Sequence, residues 1–419
     1  MRAENMTYFD SVIPNASAAI KNVRDQGKKF VGFYCVFAPQ ELIVAAGAVP
    51  VTLCATKEEP IADGEKYLPR NFCPLIKSSY GFAITEKCAF FNNSEFIIGE
   101  TTCDGKKKMF ELMEKFKPLV VLEVPQSAKG ESQKQYWRSE VARCKQEIEQ
   151  RLGVTISDEM MKTAIKDLND QRALVRELAS LNTTSPAPLS GQDLLKVMWA
   201  RNFVFDRVEF NQHVKELIDE LKMMKSKGEG TSGKAAQRII VTGVPTGVGA
   251  EKVIKIIEES GADVVYLENC AGMKQYLHDV ATSGSPLDAI ADKYLVTPCS
   301  CMSPNTGRLE LLAKLAKEYH ADGVVDITWV GCHTYNVESR ILKEYLAQHG
   351  NVPLLQVETD YSQGDNAQIK TRVEAFLEMI KKHESVVVTG KVQVTDKQDS
   401  GTTRTDCIIE QAYKRTIRL

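Results

Sequence analysis

The feature that most constrains this 419-residue chain is one pattern used in both halves: a short apolar run, a polar or glycine-bearing break, then a stretch with helical spacing. Short apolar runs bounded by turn residues read as buried strands, and strands separated by helices pair in parallel. In the first half Phe30 to Tyr34 is such a run and stops at Cys35. Pro39 opens a helical stretch from Gln40 to Ala46, Gly47 closes it, and Val49 to Leu53 is the next strand. Glu95 to Gly99 is followed by the break Thr102-Cys103-Asp104-Gly105, a helical stretch from Lys106 to Phe116, and the strand Leu119 to Val124. The second half repeats this with strands at Arg238 to Thr242, Asp263 to Leu267, Gly323 to Val330 and Leu354 to Val357. The spacing predicts an α/β protein with an open parallel sheet in each half.

Helical segments at Ser11 to Arg24, Gln133 to Leu152, Asp158 to Leu181 and Asp206 to Lys225 frame these units, with Ser157 as an N-cap. Ser226 to Lys234 is rich in Gly, Ser and Lys and reads as a linker. The expected division is an N-terminal α/β domain at 1–190, a helical connector at 191–235, a C-terminal α/β domain at 236–384 and a tail at 385–419. In the tail, Val386 to Val388 and Lys391 to Val394 flank Gly390 like the arms of a hairpin.

Composition narrows the function. The formal charge of −2 gives no support to nucleic-acid binding, and 43% hydrophobic residues suffice for conventional cores. No stretch reaches the roughly 18 apolar residues of a membrane span, and residues 1–14 lack the character of a signal peptide. The expectation is a cytoplasmic protein with no membrane partner. There its eleven cysteines are thiols or metal ligands rather than disulfides. No paired CxxC array or zinc-finger spacing occurs, so any metal site is assembled from distant segments.

In open parallel sheets ligands bind beyond the carboxyl ends of the strands. Cys35, Cys103, Cys270 and Cys332 all fall at such ends, two from each half, and Cys73 and Cys301 stand in loops. Thiolates are the donors of iron–sulfur clusters, which makes these six the candidate ligands. Cys144 in a charged helix, Cys407 in the tail, and Cys54 and Cys88 beside apolar runs read as packing residues. Cys299-Ser300-Cys301 stays ambiguous, because one of the pair is free to pack while the other binds.

Gly243-Val244-Pro245-Thr246-Gly247-Val248-Gly249 invites a nucleotide reading, yet it lacks both the Gly-Lys-Ser/Thr of a P-loop and the GxGxxG order. A tight turn, or amides facing an anion, remain. Asp104-Gly105-Lys106-Lys107-Lys108 reads as a phosphate patch or a solvated first turn. His333, Tyr335 and Glu338 follow Cys332 and are candidates to supply protons, or to cap and pack.

Taken together, Phe33-Tyr34-Cys35-Val36-Phe37-Ala38-Pro39-Gln40-Glu41, the segment Leu68 to Gly81 around Cys73-Pro74, Gly99 to Lys108, Glu268-Asn269-Cys270, Cys299 to Asn305 and Cys332 to Tyr335 resemble the 2-hydroxyacyl-CoA dehydratase and benzoyl-CoA reductase superfamily. They are most similar to its double-cubane cluster protein branch. The resemblance implies two flavodoxin-like domains with an iron–sulfur centre in the cleft between them. It implies a four-iron four-sulfur cubane on Cys73, Cys103 and Cys332. The branch further implies a second cubane, making an eight-iron nine-sulfur centre, with Cys35, Cys270 and Cys301 as the added ligands and Cys299, then Cys88, in reserve. It also implies a homodimer that reduces small molecules with electrons from a separate ATP-hydrolysing iron–sulfur protein, His333 or Tyr335 delivering protons. The alternatives are a single-cubane dehydratase subunit and a non-enzymatic electron carrier.

Overall fold

A computed structural model describes residues 1–233 and 235–389. Eight strands form two separate four-stranded sheets. The first contains β1 (Phe30–Phe33), β2 (Val49–Thr52), β3 (Ser94–Glu100) and β4 (Leu119–Leu122), in the spatial order β2-β1-β3-β4. The second contains β5 (Arg238–Gly243), β6 (Asp263–Glu268), β7 (Gly323–Trp329) and β8 (Leu354–Thr359), in the order β6-β5-β7-β8. Every pairing is parallel, with Gly32 against Val51 and Ile97 on its two sides, and Val241 against Leu267 and Val325. All four residues of β1 and all six of β5 are buried, as expected for strands covered by helices on both faces.

Both sheets therefore reverse their winding between the first and third strand, and it is at such switch points that the loops diverge to leave a crevice. Each of the eight strands lies where the apolar runs predicted it. The helical reading was less complete. Ser157 does cap the helix Asp158–Ser180 by accepting from the Met160 amide at 3.2 Å. The helices Pro74–Thr85, Gly191–Ala200, Pro286–Leu295, Thr306–Glu318 and His333–His349 carry no comparable signal in the apolar spacing alone. The last helix, Asn366–Thr389, runs through Val386 to Val388, where a hairpin arm was expected, because its register continues from Ile369, Val373 and Phe376. The other arm, Lys391 to Val394, lies outside the described residues.

The two halves of the sequence do not keep separate cores. Helix Pro286–Leu295 follows β6 in sequence but packs on helix Glu131–Leu152 beside the first sheet. There the Trp137 indole donates to the Ala291 carbonyl at 2.9 Å, and Arg138 grips Asp292 through two hydrogen bonds of 3.0 and 2.7 Å. Ile290, Tyr294, Cys299 and Met302 share one apolar cluster with Val31, Phe33 and Ile98. Buried side chains of this kind contribute roughly 1.5–3 kcal/mol each, enough to commit the crossing segment to the first sheet. Among the described residues no helix is long and apolar enough to cross a membrane.

Candidate metal centre

A cavity of about 110 Å³ opens where the carboxyl ends of both sheets meet. Its wall carries Cys35, Cys54, Cys73 and Cys103 from the first half and Cys270, Cys299 and Cys332 from the second. Among the described residues no His, Cys, Asp and Glu side chains converge closely enough to hold a single metal ion. The thiols surround a volume instead, which is the arrangement a polynuclear cluster needs and a single ion does not.

Three of these cysteines share one local device. Cys73, Cys103 and Cys332 are the N-cap residues of the helices Pro74–Thr85, Asp104–Met113 and His333–His349. The first amides of a helix lack intrahelical acceptors and carry partial positive charge, so a thiolate placed there is favoured. The Lys106 amide donates to the Cys103 sulfur at 3.4 Å, amides of Ile76 and Leu75 face Cys73, and that of Tyr335 faces Cys332. Burial, with the neighbouring cysteines adding to it, still pushes the bare Cys73 thiol up to about 12 and Cys332 to about 11. A cationic cluster core would relieve both effects.

The other group is held differently. Cys35 follows β1, Cys270 lies in the turn after β6, and Cys299 and Cys301 share one turn, pinned to the first half where the Ser303 amide donates to the Gln126 carbonyl at 2.7 Å. The Cys301 thiol donates to the Cys299 sulfur, which holds Cys299 down and drives Cys301 up. Burial raises Cys270 to about 12 and drives Cys35 well above its ordinary value. No helix start serves these four. Two buried lysines serve three of them, Lys106 at Cys35 and Lys274 at Cys270 and Cys299. Burial pulls Lys106 down, but Cys35, Glu100, Cys54 and Cys103 outweigh it and raise it; Lys274 is likewise raised by Glu268 and Cys270 against its burial.

Lys274 is fully buried, 3.1 Å from Glu268 Oε1, and donates to the Tyr335 hydroxyl at 3.0 Å. Arg308 completes this network through Glu268, Glu338 and Thr242. Near Lys106, Glu100 is fully buried with neither carboxylate oxygen hydrogen-bonded, and burial raises it to about 8 against the pull of Lys106. Such an orphaned acid beside a thiol-lined cavity fits a site built around a group the protein chain alone does not supply.

Of the six candidate ligands, Cys35, Cys73, Cys103, Cys270 and Cys332 line the cavity, while Cys301 stands behind Cys299, which takes the lining position. Cys88 is away from the wall, capping the short helix Ala89–Asn93. Cys144 is fully buried in the core, as its helical context implied, and Cys407 lies outside the described residues. Cys54, assigned to packing, faces the cavity, and its thiol donates to the Tyr34 carbonyl at 2.5 Å, so it keeps its proton. Tyr335 lines the cavity, whereas His333 is on the first helical turn and does not. Glu338 is committed to Arg308 and to Asn305, at 2.7 Å from the latter.

The Asp104 to Lys108 patch divides. Lys106 turns inward to the cavity, while Lys107 and Lys108 stay outside on Asp104 and Glu111. Sequence spacing placed all three lysines together; their position on the helix circumference, with Lys106 on the buried face, separates them. The glycine-rich turn is a seam rather than a phosphate cradle. Gly243 has φ of 113° and leaves no room for a Cβ against the Ile327 carbonyl; Gly247 lies against the Trp199 ring. Thr56 of the first half donates to the Val248 carbonyl at 2.7 Å, and Lys252 is taken by Asp365 and the Ser362 carbonyl.

The family model described as 2-hydroxyglutaryl-CoA dehydratase, D-component, matches residues 35–380. A putative dehydratase subunit YjiM of Escherichia coli (strain K12) is 45% identical over 366 residues, covering 86% of this chain and 94% of the relative. The (R)-phenyllactyl-CoA dehydratase beta subunit of Clostridium sporogenes is 24% identical, over 89% of this chain and 97% of its own length. A benzoyl-CoA reductase component of Thauera aromatica is 22% identical, over 85% and 92%.

Proposed function

We infer, from the fact that this chain belongs to the 2-hydroxyglutaryl-CoA dehydratase D-component family, that it is the iron–sulfur reducing component of a system driven by a separate ATP-hydrolysing protein. One observation carries the choice within the family: the cavity presents more thiols than a single cubane uses. Cys73, Cys103 and Cys332, on their helix N-termini, would hold one cubane. Cys35, Cys270 and one of Cys299 and Cys301 would hold a second, giving the eight-iron nine-sulfur centre. When bound, that centre stores single low-potential electrons and passes them to a small molecule.

The chain's own groups do the rest. Amides at three helix starts and the ammonium groups of Lys106 and Lys274 offset the negative charge of the thiolates. Lys274 donates to Tyr335 Oη, which leaves the phenol proton itself to be given to a ligand in the cavity. The apolar wall of Phe33, Leu75, Ile76, Trp199 and Trp329 excludes bulk water. Lys252 is already occupied, in keeping with ATP being bound by the partner and not here. The proposal includes a cytoplasmic homodimer.

The dehydratase reading, with one cubane and a sister subunit, is favoured by the name of the Clostridium sporogenes relative at 24% identity. Anaerobic iron and sulfide counts decide between the two. About eight irons per chain supports the double cubane, and a value near four supports the dehydratase. ATP-driven reduction assayed with an added ATP-hydrolysing iron–sulfur protein then tests the enzyme reading against an electron carrier.

A further inference from the structure

Beside the cysteine-lined cavity, and sharing Val36 and Gln275 with it, lies a second space of about 10 Å³. Its walls include Arg172, Arg201, Lys293, Tyr276 and Tyr294. Two guanidinium groups and the Lys293 amine, which burial and Arg172 pull down to about 7, thus face one small space in the interior. Among the described residues one carboxylate touches them, Glu41, which is held by Arg172 and accepts from the Tyr294 hydroxyl at 2.8 Å, while Asp279 acts on Arg172 and Lys293 from its pairing with Arg176. Arg201 has only neutral acceptors, Gln171 Oε1 and Gln40 Oε1, both at 2.9 Å. Lys293 is 8% exposed and has no hydrogen bond or ion pair among the described residues; its ammonium sits 3.9 Å above the Tyr294 ring. Tyr276, 3% exposed, has a hydroxyl with no partner.

Uncompensated buried cations and an orphaned buried donor are each costly, and one bound anion relieves all of them at once. The volume admits one group on the scale of a water molecule, which excludes sulfate, phosphate and a nucleotide. We propose that this pocket is an anion site taking a single small negative group, held by Lys293, Arg201 and the Tyr276 hydroxyl. The group is either free chloride or one carboxylate oxygen of a ligand whose body occupies the neighbouring cavity. None of the cysteines belongs to the pocket, so the site is independent of how many cubanes the protein carries.

The test is chloride NMR line broadening on the full chain, iron-free and iron-loaded, with long-wavelength anomalous diffraction to place the ion. Excess broadening in both forms is expected, with an anomalous peak between Lys293 Nζ and Tyr276 Oη. Lys293→Met, which keeps the length of the side chain and removes its charge, weakens chloride on the order of tenfold, and Lys293→Arg retains it. Acetate separates the two sources: if it displaces chloride the occupant is a ligand carboxylate, and if it does not the occupant is the halide. No excess broadening, or broadening unchanged in folded Lys293→Met, overturns the proposal.

Discussion

The two groups of thiols around the cavity solve one electrostatic problem by different means. Cys73, Cys103 and Cys332 sit at helix N-termini, where the compensating charge is spread over backbone amides that only a proline substitution would remove. Cys35, Cys270, Cys299 and Cys301 sit in turns, and the first three depend on two lysine side chains, Lys106 at Cys35 and Lys274 at Cys270 and Cys299. A site supported by backbone is tolerant of side-chain change, and one supported by side chains is not. The first group therefore reads as the part common to any cluster in this cavity, and the second as the part that individual side chains can add or delete.

Removing single thiols would break that comparison most directly. Cys103→Ser is expected to abolish nearly all bound iron, while Cys35→Ser leaves about four irons per chain on the helix-capped group, by anaerobic iron analysis. Equal loss in both variants would mean that the groups do not hold separable units. Lys274→Met is expected to destabilise the protein by roughly 3–5 kcal/mol in denaturant unfolding, because it strips a partner from fully buried Glu268. Lys106→Met should cost distinctly less, since its neighbour Glu100 is already poised to take up a proton.

Glu100 sharpens the same contrast through pH. Its folded-state value of about 8 lies above the ordinary 4.5, so between these limits the folded protein holds the extra proton and the unfolded chain does not. Its contribution is therefore fully present below about pH 4.5 and is lost as pH rises to about 8, a fall of a few kcal/mol. Iron-free Glu100→Gln should show a flatter stability profile over that window in urea titrations; a parallel profile would assign the slope to other groups. The smallest effect is expected at Cys144→Ala, with iron content unchanged and a cost of about 1–2 kcal/mol for the void left in the core.

All eight strands were legible because parallel, doubly covered strands write themselves as unbroken apolar runs, and the loops beyond them were legible for the same reason. The thiols at strand ends followed from that geometry, and Cys73 from its place in a recognisable motif. Cys299 was not distinguished from Cys301, since a turn sets which of two neighbours looks inward and no periodicity records it. Cys54 was missed because its position depends on the Tyr34 carbonyl just past the end of the adjacent strand. Lys274 and Lys293 lie in segments that look polar and ordinary; their burial comes from residues far away in the chain. Helix Pro286–Leu295 was invisible as a wall of the first sheet, because its partners Trp137 and Arg138 lie about 150 residues earlier.

That crossing helix also sets an order of events during synthesis. A growing chain that has emerged only through the first sheet has formed the strands leading to Cys35 and Cys103, but the surface that Tyr294 and Met302 cover is still bare. N-terminal domains ordinarily settle while the ribosome is still at work. Here the first sheet must wait for residues through 302 before its core closes, and the thiol ring is complete only once Cys332 has emerged. Insertion of the proposed cluster would thus be a late step, and the half-made chain spends that interval with an uncovered apolar face and loose thiols, the state in which chaperone protection and exclusion of oxygen matter most.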